Sequence, residues 1–535
     1  MTVDSRRSAA LLWWVLAFVL HRFLIVLFAF DGVFFWEEAY RLLVAESLRG
    51  GWDIPLHDLQ ADPYAGGSLV FSALAAVATS TAGSSLVVLK TVALAWSALG
   101  LALWLLVTDR VFGRRAAHLL GFAWLAAPPV FVVFNVTALG SHSDTITLTG
   151  LQLLLMYRYL DDRSTGRLVA WMGAAGLALW FSYASALPIA VFTAYVLAAG
   201  ALPLARWPAA AAGFLAGFSP WIAYNLAAGG SLDVVAQTFA GGGDPARGYL
   251  ANLFDLTVRG TPVALYFRDI GIAGDVKVSR EFLAYPYLAV YVASWAALMA
   301  APVFRLARST TVWRPEVFRA AVAGCPELPI LALFPFFLAV IAASNQEFND
   351  YGVVRYITFR ILVPALPSLF FAVALAAARA GTPLRVSVVA AYTLAALVGT
   401  GQLLADGRGG RATREAEARA LGAEAMGHLI VFKHGTDADV ARERIAALPE
   451  ELRAPAWRGV GSSYAYLFGT KRSGLAASEL TRALERDGGD RAAMLEGARL
   501  AIGPGLFQVA PLPESPRRDE LRRAIEDADG AARSR

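Results

Sequence analysis

Long apolar runs dominate this chain and leave it few choices of fold. Residues 9–30, 87–107, 116–136, 284–304 and 386–404 are mostly apolar. Each reaches the length of roughly 18 residues or more that a helix needs to cross a bilayer. Hydrophobic residues fill 57% of the 535 positions, with 14 Trp and 31 Phe, a balance that excludes an ordinary soluble domain. The expected fold is an all-α polytopic membrane protein. The first run is longer than a signal-peptide core and lacks a small-residue cleavage site, so it reads as a retained span.

Charge and cysteine content narrow the function classes. The net charge of +5 comes from Lys and Arg scattered through short loops. There they set topology, and they do not form the basic patch that a nucleic-acid partner would need. The single Cys325 excludes an internal disulfide framework. The six histidines have no metal-ligand spacing, which argues against a built-in zinc centre.

Arg6 and Arg7 precede the first span and place the N-terminus in the cytoplasm. Residues 31–85 then lie outside. Residues 68–80 are moderately apolar but too short to cross, and read as an interfacial or re-entrant helix. The arginine-rich loop 109–115 demands that reading, because it belongs on the cytoplasmic side. Continued alternation gives about eleven spans, with every short arginine-rich loop on one face. It also gives a long Gly-rich external segment, 227–282, a length that marks a functional or disordered loop.

Residues 1–404 therefore form a transmembrane domain. Residues 405–535 form a soluble, mainly helical C-terminal domain, external by parity, since long domains translocate regardless of charge. Within it, residues 457–464 and 495–503 share small residues that suit close helix contacts in a weak helical repeat.

Three polar clusters meet on the outer face under this topology, where burial without a role is costly. The first is Glu37-Glu38-Ala39-Tyr40, directly after the first span. Its pattern continues as an amphipathic helix lying on the membrane, with Ala39, Leu42, Leu43, Ala45 and Leu48 on one face and Arg41, Glu46 and Arg49 opposite. Adjacent carboxylates on a helix point in different directions. One can act as a base while the other caps the helix or pairs with Arg41, and both can serve structure alone.

The second cluster is Gly140-Ser141-His142-Ser143-Asp144-Thr145 at the mouth of two spans, where Asp144 suits either a helix cap or a cavity carboxylate facing Glu37. The third runs from Asn349 through Arg355-Tyr356 to Pro364. Arg355 suits a bidentate phosphate contact or an interfacial snorkelling role.

Together and in this order, the clusters resemble the GT-C type membrane glycosyltransferases, the group of protein mannosyltransferases and aminoarabinose transferases. Glu37-Glu38-Ala39-Tyr40 is similar to the Asp-Glu motif of that group, and 109–115 to its cytoplasmic arginine-rich loop. Asp144 falls at its second acidic position, and Arg355-Tyr356 with Pro364 and Pro367 resembles its arginine-tyrosine and proline pattern. The resemblance covers residues 9–404.

It implies inverting transfer of a sugar from a polyprenyl-phosphate donor to a lipid, glycan or protein acceptor at the outer face of a bacterial inner membrane. Glu37 matches the general base, Glu38 and Asp144 supporting acids, and His142, Arg355 and Tyr356 substrate-binding positions. Basic residues and, in some members, a divalent cation such as Mg or Mn balance the leaving phosphate. Two departures stand out. Glu replaces the family's Asp at position 37, and the lysine of some relatives has no obvious counterpart, for which His57, Lys90 and Lys277 are the substitutes. The alternatives are a transporter or lipid flippase, whose path His21 and Arg22 would line, or a non-catalytic membrane scaffold. The absence of internal symmetry speaks against transport.

Overall fold

The computed structural model describes residues 5–29, 32–33, 36–61, 66–227, 249–257, 261, 284–310, 315–343, 362–408, 415–435, 437–469, 490–502 and 516–533. The described secondary structure is helical throughout. Helix α1 (Ser5–Ala29) is followed by α2 (Trp36–Gly50), the short α3 (Leu56–Leu59), α4 (Gly67–Ala82) and the long α5 (Leu86–Phe112). Then come α6 (Arg114–Leu125), α7 (Pro129–Phe134), α8 (Thr145–Asp162), α9 (Thr165–Phe181), α10 (Ala186–Ala198) and α11 (Trp207–Ala227). After α12 (Tyr249–Asp255), the chain continues through α13 (Ala284–Thr310), α14 (Pro315–Ala323), α15 (Leu328–Leu331), α16 (Leu333–Ala343), α17 (Leu366–Arg379) and α18 (Thr382–Arg408). The C-terminal helices are α19 (Glu415–His434), α20 (Ala438–Ala446), α21 (Glu450–Gly469), α22 (Arg491–Ile502) and α23 (Pro516–Arg533).

Several of these helices span a membrane. Among the described residues, Ala10–Ala29, Leu86–Phe112, Ala284–Arg305 and Thr382–Gly401 are long and apolar enough. The bent pair Pro315–Ala323 and Leu328–Ala343, kinked by 81°, makes a fifth if it is one span. Their outward side chains are apolar, as with Leu16, Leu20, Leu24 and Phe28 on α1 and Leu394 and Leu397 on α18, which is tolerable only against lipid.

The count expected from sequence, about eleven, is thus larger than the four or five that length and composition support. The runs are broken where the backbone needs it. Residues 116–136 are split between α6 and α7 at Ala126–Pro128, and Gly324-Cys325-Pro326 separates α14 from α15. Proline supplies no amide to a helix and disfavours helical geometry in the residue before it. Gly113, at φ +91°, allows the sharp turn from α5 into α6.

Two contacts bear on earlier expectations. Arg22 is fully buried in α1 and donates to the Trp124 carbonyl at 3.1 Å and the Leu125 carbonyl at 3.3 Å. It thereby satisfies carbonyls at the broken end of α6, a helix-pairing role that does not require a transport path. In the C-terminal helices, a Cβ on Gly459 would lie 1.9 Å from the Glu424 carbonyl, and one on Gly461 1.9 Å from that of Met494. Gly459, Gly461 and Gly497 therefore sit where α19, α21 and α22 touch backbone to backbone.

Helix α2 differs most from expectation. Every residue from Glu37 to Ser47 is buried, so it is no amphipathic helix lying on a membrane surface. Tyr40, Leu43 and Val44 join an apolar cluster with Met426, Leu429, Ile430 and Trp457 of the C-terminal helices. Leu42 and Ala45 pack with Phe71 and Ala75 of α4 and Leu89 and Ala93 of α5. Of the polar residues expected to face water, Arg41 is enclosed against the Leu139 carbonyl and Glu46 by Arg419 of the C-terminal segment and Ser84, while Arg49 is exposed.

Candidate active site

The site is built around the first turn of α2. Glu37 and Glu38 occupy its positive dipole end. Successive helix residues are turned by about 100°, whereas residues four apart share a face. Three differently occupied flanks result.

Glu38 faces α5. Its Oε1 lies 2.6 Å from Lys90 Nζ, and both side chains are completely closed off from solvent. On the next flank, Ala39 meets α19 so closely that a Cβ on Gly422 would come 2.5 Å from its carbonyl. Farther along, Glu46 accepts from Arg419 Nε at 2.8 Å and from Ser84 Oγ at 2.8 Å.

Glu37 shares its flank with Arg41. The Arg41 guanidinium is buried and donates through Nε and Nη2 to the Leu139 carbonyl, at 3.1 and 2.9 Å. The flank of Glu37 is therefore turned toward the loop that carries Asp144.

That loop is held rigidly. Gly140 adopts φ +62°, and a Cβ there would lie 2.5 Å from the Gly67 carbonyl at the start of α4. Only glycine suits both the backbone and the space. Ser141 and Asp144 form a reciprocal cap of the short turn His142–Asp144. Asp144 Oδ2 accepts from the Gly140 amide at 2.7 Å and the Ser141 amide at 3.3 Å, and Trp96 Nε1 donates to the Asp144 carbonyl at 2.9 Å. Asp144 is buried and orients its own loop, which suits a fixed negative charge better than a mobile base. The His142 ring stands edge-on to Tyr183, with centroids 5.1 Å apart.

The turn Val363–Ala365, just before α17, packs against His142–Asp144. It follows the segment of Arg355 and Tyr356, which lie outside the described residues, as does Lys277. The described contact between α2 and the loop that carries Asp144 is that of Arg41, on the flank of Glu37, with the Leu139 carbonyl.

His57 occupies a different place. It lies in α3 at the junction with the C-terminal helices, 3.6 Å from Asp58. The junction is densely polar and was not legible in the sequence. Asp58, with a side chain 1% exposed, accepts from His434 Nε2 at 2.8 Å and from Arg444 Nε at 2.7 Å. Lys433 Nζ donates to the His57 carbonyl at 3.0 Å, the Asp58 carbonyl at 2.7 Å and the Gln60 carbonyl. Tyr40 of α2 donates to the Leu59 carbonyl at 3.1 Å, so the junction reaches the helix that carries Glu37.

Burial works against the ionised Asp58 carboxyl. The hydrogen bonds from His434 and Arg444 and the charge of Lys433 overcome it and hold the group well below the usual carboxylate range. His57 is lowered chiefly by burial, partly offset by Asp58 and reinforced by Lys433, Arg444 and His434.

Among the described residues, no group of three or more His, Cys, Asp or Glu side chains is gathered to hold a metal ion.

In overall shape the chain is similar to ArnT from Cupriavidus metallidurans. The apo form matches at 14% identity over 97% of this chain and 78% of that one, with a TM-score of 0.45. ArnT bound to undecaprenyl phosphate matches at 16% identity over 97% and 88%, with a TM-score of 0.44. The apo oligosaccharyltransferase of Archaeoglobus fulgidus matches at 14% identity over 80% of this chain and 60% of that one, with a TM-score of 0.39. No protein-family model matches the sequence, and neither does any curated protein.

Proposed function

We propose that this protein is a membrane-bound glycosyltransferase that moves a sugar from a polyprenyl-phosphate donor to a lipid, glycan or protein acceptor. The observation that carries the proposal is the enclosed α2. Directly after the first span it presents buried Glu37 on the flank that Arg41 ties to the Asp144 loop. A carboxylate is costly to bury without a task, and the order of the clusters resembles that of membrane glycosyltransferases.

In the proposed reaction Glu37 takes the proton of the acceptor nucleophile. The nucleophile attacks the anomeric carbon from the face opposite the lipid phosphate, and the bond from that carbon to the phosphate oxygen breaks. The sugar inverts, Glu37 holds the proton, and polyprenyl phosphate leaves. Arg355 is the proposed ligand of that phosphate, with Tyr356 beside it. Asp144 keeps the acceptor side of the site negative, and His142 lines it. The packing of Val363–Ala365 on His142–Asp144 supports this grouping.

The proposed setting is a bacterial inner membrane, with the N-terminus in the cytoplasm and the C-terminal helices outside. In that topology, further helices such as α9 and α11, whose Leu177, Leu215 and Ile222 are exposed, supply further crossings toward about eleven. To test the proposal, membranes containing the full chain are incubated with a panel of labelled polyprenyl-phosphate sugars. Chain-dependent loss of label from the lipid is expected for at least one donor; its absence for all of them, with the chain folded, would refute the proposal.

A further inference from the structure

We infer that Lys90 and Glu38 form a sealed positioning pair that fixes the rotation of α2 and leaves Glu37 as the base. The inference rests on the transferase reading above and decides between the two adjacent carboxylates. Lys90 Nζ sits 2.6 Å from Glu38 Oε1, and neither side chain has any exposure. An ammonium and a carboxylate removed from water are stable only while they remain together. For Glu38 to take a proton from an acceptor it would have to leave its cation, and that cation would then be buried alone. For Lys90 to bind a donor phosphate it would have to abandon Glu38 in the same way. The pair is thus withdrawn from both chemistries.

Its geometric effect falls on the neighbouring residue. One residue earlier is a rotation of about 100° around the helix, so anchoring Glu38 to α5 sets the direction of Glu37. The second anchor is Arg41, one turn on from Glu37, which donates to the Leu139 carbonyl at 2.9 Å. A helix held at two points around its axis cannot roll, and Glu37 is kept on the flank of the Asp144 loop. Lys90 acts through Glu38 and α2, and is a positioning residue.

The experiment uses the full chain in liposomes with a donor that the wild type accepts. It compares Lys90→Met, Glu38→Gln, the double variant and Glu37→Gln, with thermal unfolding measured on each. Lys90→Met removes the cation from the buried Glu38 carboxylate, and kcat is expected to fall about tenfold or more while KM for the donor barely moves. Adding Glu38→Gln replaces the ion pair by a neutral one and is expected to return kcat to within about tenfold of wild type, with melting recovered. Glu37→Gln is expected to lose about 10²–10⁴-fold in kcat at unchanged melting.

A folded double variant as inactive as Glu37→Gln would overturn the inference, as would Lys90→Met acting on donor KM alone. If the wild type transferred from no donor, the transferase reading would fail. The melting cycle would then judge the pair by itself: recovery in the double variant supports the lock, and additive losses overturn it.

Discussion

Replacing Asp58 by alanine tests whether the C-terminal helices hold α2 in place. The carboxylate is 1% exposed and accepts from His434 at 2.8 Å and Arg444 at 2.7 Å. Hydrogen bonds to a charged group contribute about 1.5–3 kcal/mol each, and removing one partner of a buried ion pair costs about 3–5 kcal/mol. Arg444 is 13% exposed and also contacts Glu443, so part of its charge is resolvated and the lower end applies. A loss of about 3 kcal/mol corresponds to roughly a hundredfold rise in the opened population.

Amide hydrogen exchange on the full chain reads that rise directly, and it should be confined to α3, the facing ends of α19 and α20, and α2. In a double-mutant cycle, Arg444→Ala should add much less to Asp58→Ala than it costs alone. Less than a twofold change in protection, or strict additivity, would refute the junction as the anchor. The sign with pH follows from the depressed Asp58 value. Its contribution is complete above the ordinary carboxylate pKa of about 3.9 and disappears as pH falls through the lower folded value.

Lys433→Met removes the ammonium that gathers the His57, Asp58 and Gln60 carbonyls, and should increase protease cleavage between α3 and α4 without changing the spans. Burial pushes Glu424 up to about 7, against the pull of Arg458. Its stabilising share is full below about 4.5 and lost as pH rises through 7, so Glu424→Gln should flatten the decline of C-terminal melting between pH 5 and 7. Burial lowers His428 to about 4. Its share is full above about 6.5 and lost as pH falls through 4, so His428→Leu should remove the acid-side loss. A Cβ on Gly459 would stand 1.9 Å from the Glu424 carbonyl, and Gly459→Ala should cost about 1–3 kcal/mol or more in the melting of the C-terminal helices.

Much of the membrane character was legible in the sequence because span length is a property of local composition. Residues 9–30 and 87–107 coincide closely with Ala10–Ala29 and Leu86–Phe112. The number of crossings was less legible. Composition does not show where Pro128 and Pro326 interrupt apolar runs, nor which short helices pair. The acidic start of α2 was visible as Glu37-Glu38, and a local pattern could also suggest the cap at Ser141 and Asp144.

The partners were not visible. Lys90 meets Glu38 across 52 positions, Arg41 meets Leu139 across 98, and Arg444 meets Asp58 across 386. Periodicity carries no information at such separations. Helix α2 looked amphipathic because its polar residues pair with cations and carbonyls supplied by remote segments. The contacts of His57 with Lys433 at the C-terminal junction were hidden for the same reason.

The central claim is that Glu37, held by α2 on the flank of the Asp144 loop, is the base of a polyprenyl-phosphate-dependent sugar transfer. The most direct measurement is single-turnover transfer of labelled sugar from a polyprenyl-phosphate donor by wild type and Glu37→Gln, matched for folding by thermal unfolding. The account expects rapid transfer by the wild type and a rate lower by about 10²–10⁴-fold in the variant. Equal rates in the two proteins would contradict it.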